Sequence, residues 1–292
     1  MFSIIDREFQ LKKLKEETLD LIIVGGGITG AGIALDAAQR GMKVALFEKG
    51  DFASGTSSKS TKLVHGGLRY LKQLEFSLVK EVGLERAIVH QNARHIVVAE
   101  QMLLPIIKNG SLNKFFTNIA LYVYDFLAGV SKGETRRMLN KEETIDKEPL
   151  LNKDKVLGGG LYAEYRTDDA RLTIEILKKA ASLGATIINY CEMDSFDYNK
   201  DSKIKNLNCI DNNTGNTIKI TARNYVSAAG PWVDKLRTKD HSMTNKYLHL
   251  TKGVHIVFPF EKLPIKQPIY FDVKDGRMIF AIPRGRTTYV GT

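Results

Sequence analysis

Along the 292-residue chain the first sharp change in polarity comes at residues 21–24, where a mixed-charge start gives way to LIIV. A short unbroken apolar run of this kind predicts a strand of a parallel sheet, buried on both faces. GGGITG follows at 25–30, small residues Ala31, Gly32 and Ala34 begin a helical stretch, Gly41 ends it, and a second apolar run at 44–47 predicts a second strand. Helical spacing with mixed charges on the outer face returns at 75–92, and the apolar stretch that continues to Pro105 reads as core helix. Residues 111–130 are aromatic and strongly apolar, but Lys114, Asn118 and Asp125 interrupt them, so no membrane span is predicted. The plainer reading of this segment is an amphipathic helix buried in the protein; the other is a helix lying in a bilayer interface.

Residues 131–155 predict charged connectors and short helices, and Gly158, Gly159 and Gly160 mark a boundary. Thr167 and Asp168 are candidate N-caps for a helix carrying Leu172, Ile176 and Leu177, which Gly184 ends. Capping accounts for the aspartates here better than a ligand role, because an N-cap needs an oxygen and a first turn favours acid. A strand at 185–189 and β-rich runs flanking the DNNTG turn at 211–215 predict a hairpin insertion, and a strand at 224–230 ends in small residues before Pro231 and Trp232. From residue 249 the alternation is that of an antiparallel meander. Lys252 and His255 fall three apart in its first strand, on opposite faces if that strand is regular.

The glycines between the first strand and its helix are spaced G-x-G-x-x-G, at Gly25, Gly27 and Gly30. Gly25 permits the tight turn, Gly27 lets backbone approach a pyrophosphate, and Gly30 lets the helix pack close on the strand, with Ile28 and Thr29 at the helix end that faces the phosphates. Glu48, at the end of the second strand, is placed to accept from adenosine ribose hydroxyls, which favours FAD or NAD over NADP. Residues 51–71 then crowd hydroxyls and glycines together. Thr56, Ser57 and Ser58 can bond pyrophosphate and ribitol oxygens, and Gly66 and Gly67, beside His65, allow backbone to lie against a flat ring such as an isoalloxazine.

With these residues in view the chain resembles the FAD-dependent glycerol-3-phosphate dehydrogenases, through GGGITGAGIALDAAQRG, TSSKSTKLVHGGLRYL, EYRTDDARL, SAAGPWVD, LTKGVHIVFP and YVGT. The resemblance implies an α/β fold of the D-amino-acid-oxidase-like superfamily: a Rossmann-type FAD-binding domain with a parallel sheet from 18–95 and 160–240, and an antiparallel-sheet substrate domain from 96–159 and 241–292. It implies FAD as cofactor and oxidation of sn-glycerol 3-phosphate to dihydroxyacetone phosphate, with electrons passed to membrane quinone. A related oxidase that reduces O2, and a non-catalytic FAD-binding fragment, remain open beside it.

Only one dinucleotide fingerprint occurs, so electrons are expected to come from substrate rather than from NAD(P)H. The resemblance raises His255 to leading candidate for the base, with His65 second. Arg69 is the expected anion clamp and Tyr70 a hydroxyl donor; Arg284 or Arg286 could add a contact, though a solvated turn is the plainer reading of both. The chain ends at 289–292 in mid-meander while the family's pattern continues, so an N-terminal portion or a truncated product is expected, with weak activity or none on its own.

Composition narrows the partners. The chain is 43% hydrophobic and 26% charged, with a formal net charge of +10, which favours anionic partners. No nucleic-acid module accompanies that charge, so none is expected to bind; a phosphorylated substrate and the anionic inner leaflet of a membrane fit it better. The start of the chain has no apolar h-region, so a cytoplasmic or inner-face peripheral protein is expected. Cys191 and Cys209 lack metal-type spacing and read as free thiols, and no metal site is expected.

Overall fold

A computed structural model describes residues 2–67, 75–127, 133–273 and 275–291. In chain order the elements are α1 (Arg7–Glu16), β1 (Thr18–Val24), α2 (Ile28–Gln39), β2 (Val44–Phe47), β3 (Leu63–Val64), α3 (Phe76–Asn92) and β4 (Val98–Ile107). Then come α4 (Lys114–Leu127), β5 (Arg137–Leu139), α5 (Lys141–Lys147), β6 (Val156–Arg166), α6 (Asp169–Ser182), β7 (Thr186–Ile188) and β8 (Cys191–Tyr198). The last are β9 (Ile204–Asp211), β10 (Thr217–Ser227), α7 (Val233–Lys239), β11 (His255–Pro259), β12 (Ile269–Asp272), β13 (Met278–Arg284) and β14 (Thr287–Gly291).

Two compact units result, one from residues 1–60 and 168–250, the other from 61–167 and 251–292. The first holds a six-stranded sheet in the order β7-β2-β1-β10-β9-β8, in which β7, β2, β1 and β10 run parallel and β9 and β8 extend it antiparallel. Period-two alternation splits its core. Leu21 and Ile23 pack with Ala31, Ala34, Ala37 and Ala38 of α2 and with Leu177 and Ala180 of α6. Ile22 and Val24 pack on the other face with Leu11 and Leu14 of α1 and the hairpin residues Leu207, Cys209 and Ile220. Ile22 and Ile23 are wholly buried, each stabilising the fold by about 1.5–3 kcal/mol. Cys191 and Cys209 are buried free thiols in this layer. Cys191 beside it, together with burial, pushes the Cys209 thiol well up, so it stays in the unreactive protonated form. The start of the chain is anchored by Arg7, whose buried guanidinium donates to Asp211 Oδ1 at 2.6 Å and to the Asn189 carbonyl at 2.7 Å.

The second unit is built on an eight-stranded sheet, β11-β14-β13-β12-β4-β6-β3, with β5 also on β6. Its ladders are antiparallel except β12 on β4. The unit boundaries fall at 60/61 and 167/168, not at 95/96 and 159/160, because α3 and all of β6 belong to this second sheet's core.

Several expectations change. The apolar stretch before Pro105 is strand β4, not core helix: it pairs with β6 over its full length and its residues 102–106 are buried, a state that an apolar run fits as well as a helix does. Gly158, Gly159 and Gly160 mark no boundary but lie inside β6, where a Cβ on Gly160 would come within 2.7 Å of Leu121 in α4. Asp168 does cap α6, accepting from the Arg171 N–H at 3.1 Å. The terminal strands are not a simple meander, since β11 pairs with β14 rather than β12. The first of them starts at His255, leaving Lys252 exposed in irregular chain, so the two residues do not share a strand.

Helix α4 is buried on one face only. Thr117, Leu121 and Tyr124 face the core, while Phe115, Phe116, Ile119, Tyr122 and Phe126 are exposed, Phe126 by 79%. The sequence is apolar around most of the helix, and the sheet covers only the side it meets. Among the described residues no helix is long and apolar enough to cross a membrane.

Candidate functional site

Strand β1 delivers its C-terminal end to the glycine turn, and α2 begins at Ile28, so the fingerprint sits between a central parallel strand and a helix N-terminus. The turn is closed by bonds on both sides. Gly25 N–H donates to the Phe47 carbonyl at 2.8 Å and Ala228 N–H to the Val24 carbonyl at 2.8 Å. Gly25 has φ +119°, and a Cβ there would meet the Ala228 carbonyl oxygen at 2.4 Å. A Cβ on Gly30 would meet the Gly25 carbonyl oxygen at 1.9 Å. Only hydrogen fits at either position, which brings the end of β10 and the first turn of α2 hard against the loop.

A cavity of about 450 Å3 opens beside this turn, within the size range of small-ligand sites. Gly25, Gly27, Ile28, Thr29, Glu48, Thr56 and Ser57 all line it. Ser57 lies in a single 3-10 turn and its Oγ accepts from the Ile28 N–H at 2.8 Å, tying the hydroxyl-rich loop to the start of α2. Ser58 is not a lining residue; its hydroxyl donates to the Gly55 carbonyl at 3.3 Å. Gly30 is not one either, and its contribution is the packing just described. Glu48 Oε2 accepts from Gly26 N–H at 2.7 Å and Oε1 from Gly50 N–H at 2.9 Å. Those bonds fix the carboxylate at the cavity wall, and each oxygen keeps a lone pair for a further donor.

The cavity has a far wall that the motif did not reveal. Trp232, in the 3-10 turn Gly230–Trp232, lines it, with the Lys49 ammonium 4.8 Å above the indole. Lys59, Lys235 and Lys239 also line it, placing cations around a site whose centre is a helix N-terminus. The sequence signal for this wall was the aromatic that follows the small-residue run SAAGP.

His65, Gly66 and Gly67 belong to the second unit. There a buried polar network stands behind them. The β3–β6 register, with Val64 opposite Tyr165, sets His65 across from Glu164. Glu164 Oε1 lies 3.3 Å from His65 Nδ1 and accepts from the Tyr124 hydroxyl at 2.9 Å; Oε2 accepts from the Gly66 N–H at 3.1 Å. Arg86, buried with only 2% of its surface exposed, donates to the Tyr124 hydroxyl at 2.8 Å and the Ala163 carbonyl at 2.9 Å, and lies 3.5 Å from Glu164 Oε2. Burial pushes the Glu164 carboxyl upward, but His65, Arg86 and the Gly66 N–H outweigh it and hold it below the usual carboxylate range. Burial, then the neighbouring carboxylate, pushes the Tyr124 hydroxyl well up, so it remains a donor.

Neither Glu164 nor Arg86 was singled out from sequence. Each carried a signal: Glu164 is the lone acid in a strand that is otherwise apolar, aromatic or glycine up to its closing Arg166, and Arg86 sits on the α3 stripe of Val79 and Gly83 that faces the core.

His255 begins β11 opposite Gly291, its ring edge-on to Tyr289 with centroids 5.6 Å apart. Its Nε2 is buried without a hydrogen-bond partner among the described residues. Arg69 and Tyr70 lie outside the described residues. Arg284 is engaged at a backbone site, donating to the Thr167 carbonyl at 2.8 Å.

Comparison with known proteins agrees with this geometry. A family model described as FAD dependent oxidoreductase matches residues 20–292. The chain is 57% identical over 291 residues to an aerobic glycerol-3-phosphate dehydrogenase of Staphylococcus aureus, covering 99% of this chain and 52% of that protein. It is 56% identical over 291 residues to one of Staphylococcus haemolyticus, with the same coverage. It thus spans about half the length of the curated relatives it matches. Among solved structures, the Bacillus halodurans glycerol-3-phosphate dehydrogenase complexed with FAD superposes with a TM-score of 0.82 at 47% identity, over 100% of this chain and 50% of that one. A Mycoplasma pneumoniae L-alpha-glycerophosphate oxidase shares the fold, with a TM-score of 0.65 at 18% identity over 94% of this chain and 71% of that one. A dinucleotide turn closed by backbone on both sides, at the end of a strand that runs parallel to both of its neighbours, and a family match across nearly the whole sequence place this chain in the FAD dependent oxidoreductase family.

Proposed function

We propose that the protein uses FAD to oxidise sn-glycerol 3-phosphate to dihydroxyacetone phosphate and passes the electrons to a quinone. The observation that carries this reading is the 57% identity to aerobic glycerol-3-phosphate dehydrogenases along a chain whose glycine cradle suits a dinucleotide. The residues present fit FAD. The cradle that a Cβ on Gly25 or Gly30 would fill leaves the Ile28 and Thr29 end of α2 open to a pyrophosphate, and Glu48 stands at the wall for a ribose. We assign the first unit to this end of the cofactor, and the second unit to the flavin-side loop of His65, Gly66 and Gly67 and to substrate.

When bound, FAD supplies the hydride acceptor. The protein's own part is to hold the phosphate and to take a proton from the C2 hydroxyl. His255 is the leading group for the second task, because its Nε2 is buried with no partner among the described residues and imidazole suits proton transfer near neutral pH. His65 is the second candidate, and Arg69 with Tyr70 is assigned to the substrate's anionic groups. Anaerobic addition of glycerol 3-phosphate should bleach the FAD-loaded protein, and reoxidation by a water-soluble quinone should outpace reoxidation by O2. Stable flavin absorbance with excess substrate would make these 292 residues the non-catalytic FAD-binding fragment instead; faster reoxidation by O2 would make the protein an oxidase.

The exposed face of α4 supports peripheral contact with an anionic membrane. Five apolar and aromatic residues line one side of the helix, Lys114 stands at its start, and the Arg136 guanidinium lies 4.8 Å over the Tyr122 ring. Vesicles containing phosphatidylglycerol should co-sediment the protein more than phosphatidylcholine vesicles do, and a Phe115→Ser, Phe126→Ser variant should remain in the supernatant. Equal sedimentation of the variant would remove α4 from the contact.

A further inference from the structure

The buried network of the second unit contains a conflict at one atom. His65 Nδ1 lies 3.0 Å from the Gly67 N–H, which can only donate to it, and 3.3 Å from Glu164 Oε1, which can only accept from it. One ring nitrogen cannot serve both. If Nδ1 is bare it takes the Gly67 N–H and faces a buried carboxylate with its lone pair; if it carries hydrogen it donates to Glu164 and releases Gly67 N–H.

Burial decides between them. Glu164 is 1% exposed and its oxygens face the Tyr124 hydroxyl, the Gly66 N–H and the Arg86 guanidinium, a set of donors that suits a carboxylate anion, so a lone pair turned on it at 3.3 Å is repulsive in a region of low dielectric. Donation from Nδ1 is instead a charge-assisted hydrogen bond. The Gly67 N–H is only partly buried and has water as an alternative. Meanwhile Nε2, at the other edge of the ring, is buried with no partner among the described residues.

We propose that Glu164 is a positioning residue that holds His65 as the Nδ1–H tautomer, leaving Nε2 as the bare, proton-accepting edge of the HGG loop. The same carboxylate holds the loop itself through the Gly66 N–H. Gly66 is required by this network, since a Cβ there would fall 1.8 Å from the Tyr124 hydroxyl oxygen. Arg86 and the Tyr124 hydroxyl in turn fix the carboxylate, and the Phe280 ring, edge-on at 5.5 Å, limits rotation of the imidazole. When Nε2 takes a proton, Nδ1–H stays on Glu164 and the buried carboxylate balances the imidazolium. The purpose of this device rests on the proposed oxidation of an alcohol; its geometry does not.

The test reads the tautomer directly. In protein labelled with 15N-histidine and loaded with FAD, long-range 15N correlation spectra distinguish a protonated Nδ1 from a protonated Nε2, and a His65→Gln sample identifies which of the six histidines is His65. The parent should show Nδ1 protonated and Nε2 bare. In Glu164→Gln, the Gly66 N–H and Arg86 both point to the Oε2 position and draw the amide oxygen there, so the amide NH2 faces His65. That forces Nδ1 to accept and moves the hydrogen to Nε2. Flavin bleaching by glycerol 3-phosphate should slow by roughly 10-fold or more in this variant, the wrong-tautomer effect, while Glu164→Asp should keep the parent tautomer. A parent spectrum with Nε2 protonated overturns the proposal even if no variant folds. Absence of bleaching in the parent would count against the proposed substrate alone, because the tautomer is read without it.

Discussion

Gly30→Ala protein is expected to lose most of its affinity for FAD, while Gly32→Ala, two residues along the same helix, should bind as the parent does. The added methyl at residue 30 would sit 1.9 Å from the Gly25 carbonyl oxygen, with the Ala228 methyl 3.4 Å away and no flexible side chain to yield. Helix α2 must move away from the loop or the loop must open, and either displaces the N–H groups that face the phosphates. Overpacking of this kind costs about 1–3 kcal/mol, so fluorescence titration of apo-protein should show FAD binding roughly 10- to 100-fold weaker. Nothing lies within 4 Å of a methyl at residue 32, which is exposed. That change should leave binding unaltered and raise the unfolding temperature slightly, since alanine is the better helix former. Equal FAD affinity in the Gly30→Ala variant and the parent would mean that the turn does not carry the cofactor.

His255→Asn should leave FAD binding intact and slow bleaching of the flavin by glycerol 3-phosphate by roughly 10²- to 10⁴-fold, the usual worth of a positioned general base. Asparagine keeps a polar side chain beside Gly291 and Tyr289 but cannot accept a proton at neutral pH. A structural histidine would behave differently: its loss would lower the unfolding temperature and spare the rate. Stopped-flow traces near the parent rate would therefore assign His255 to packing and transfer the proton-accepting role to His65. Pairing this variant with Glu164→Gln separates the two histidines, because only His65 contacts Glu164.

The glycine turn was legible in the sequence because its constraint is local. Gly25, Gly27 and Gly30 are dictated by steric room around a single turn, and the apolar runs on either side are long enough to predict the strands that hold it. Asp168 was legible for the same reason, since a cap is defined by a few neighbouring residues. The apolar stretch ending in β4 was not. Ten residues that are apolar but for Glu100 and Gln101 fit a core helix or a central strand equally, and only pairing with β6 chooses between them. His255 and Lys252 were placed on one strand by spacing alone, and the strand begins later than their pattern implied.

Strands β1 and β2, the glycine cradle between them and the acid that follows β2 are legible from local chain alone, because each is enforced by contacts within about thirty residues, the length of one βαβ unit. Which residues stand behind the histidine loop depends on long-range packing. Arg86, Tyr124 and Glu164 come from two helices and a strand, 78 residues apart at the extremes, and meet because the β3–β6 register sets His65 opposite Glu164. Charge burial is affordable only where several partners converge, and convergence from distant elements leaves no periodic trace in the sequence.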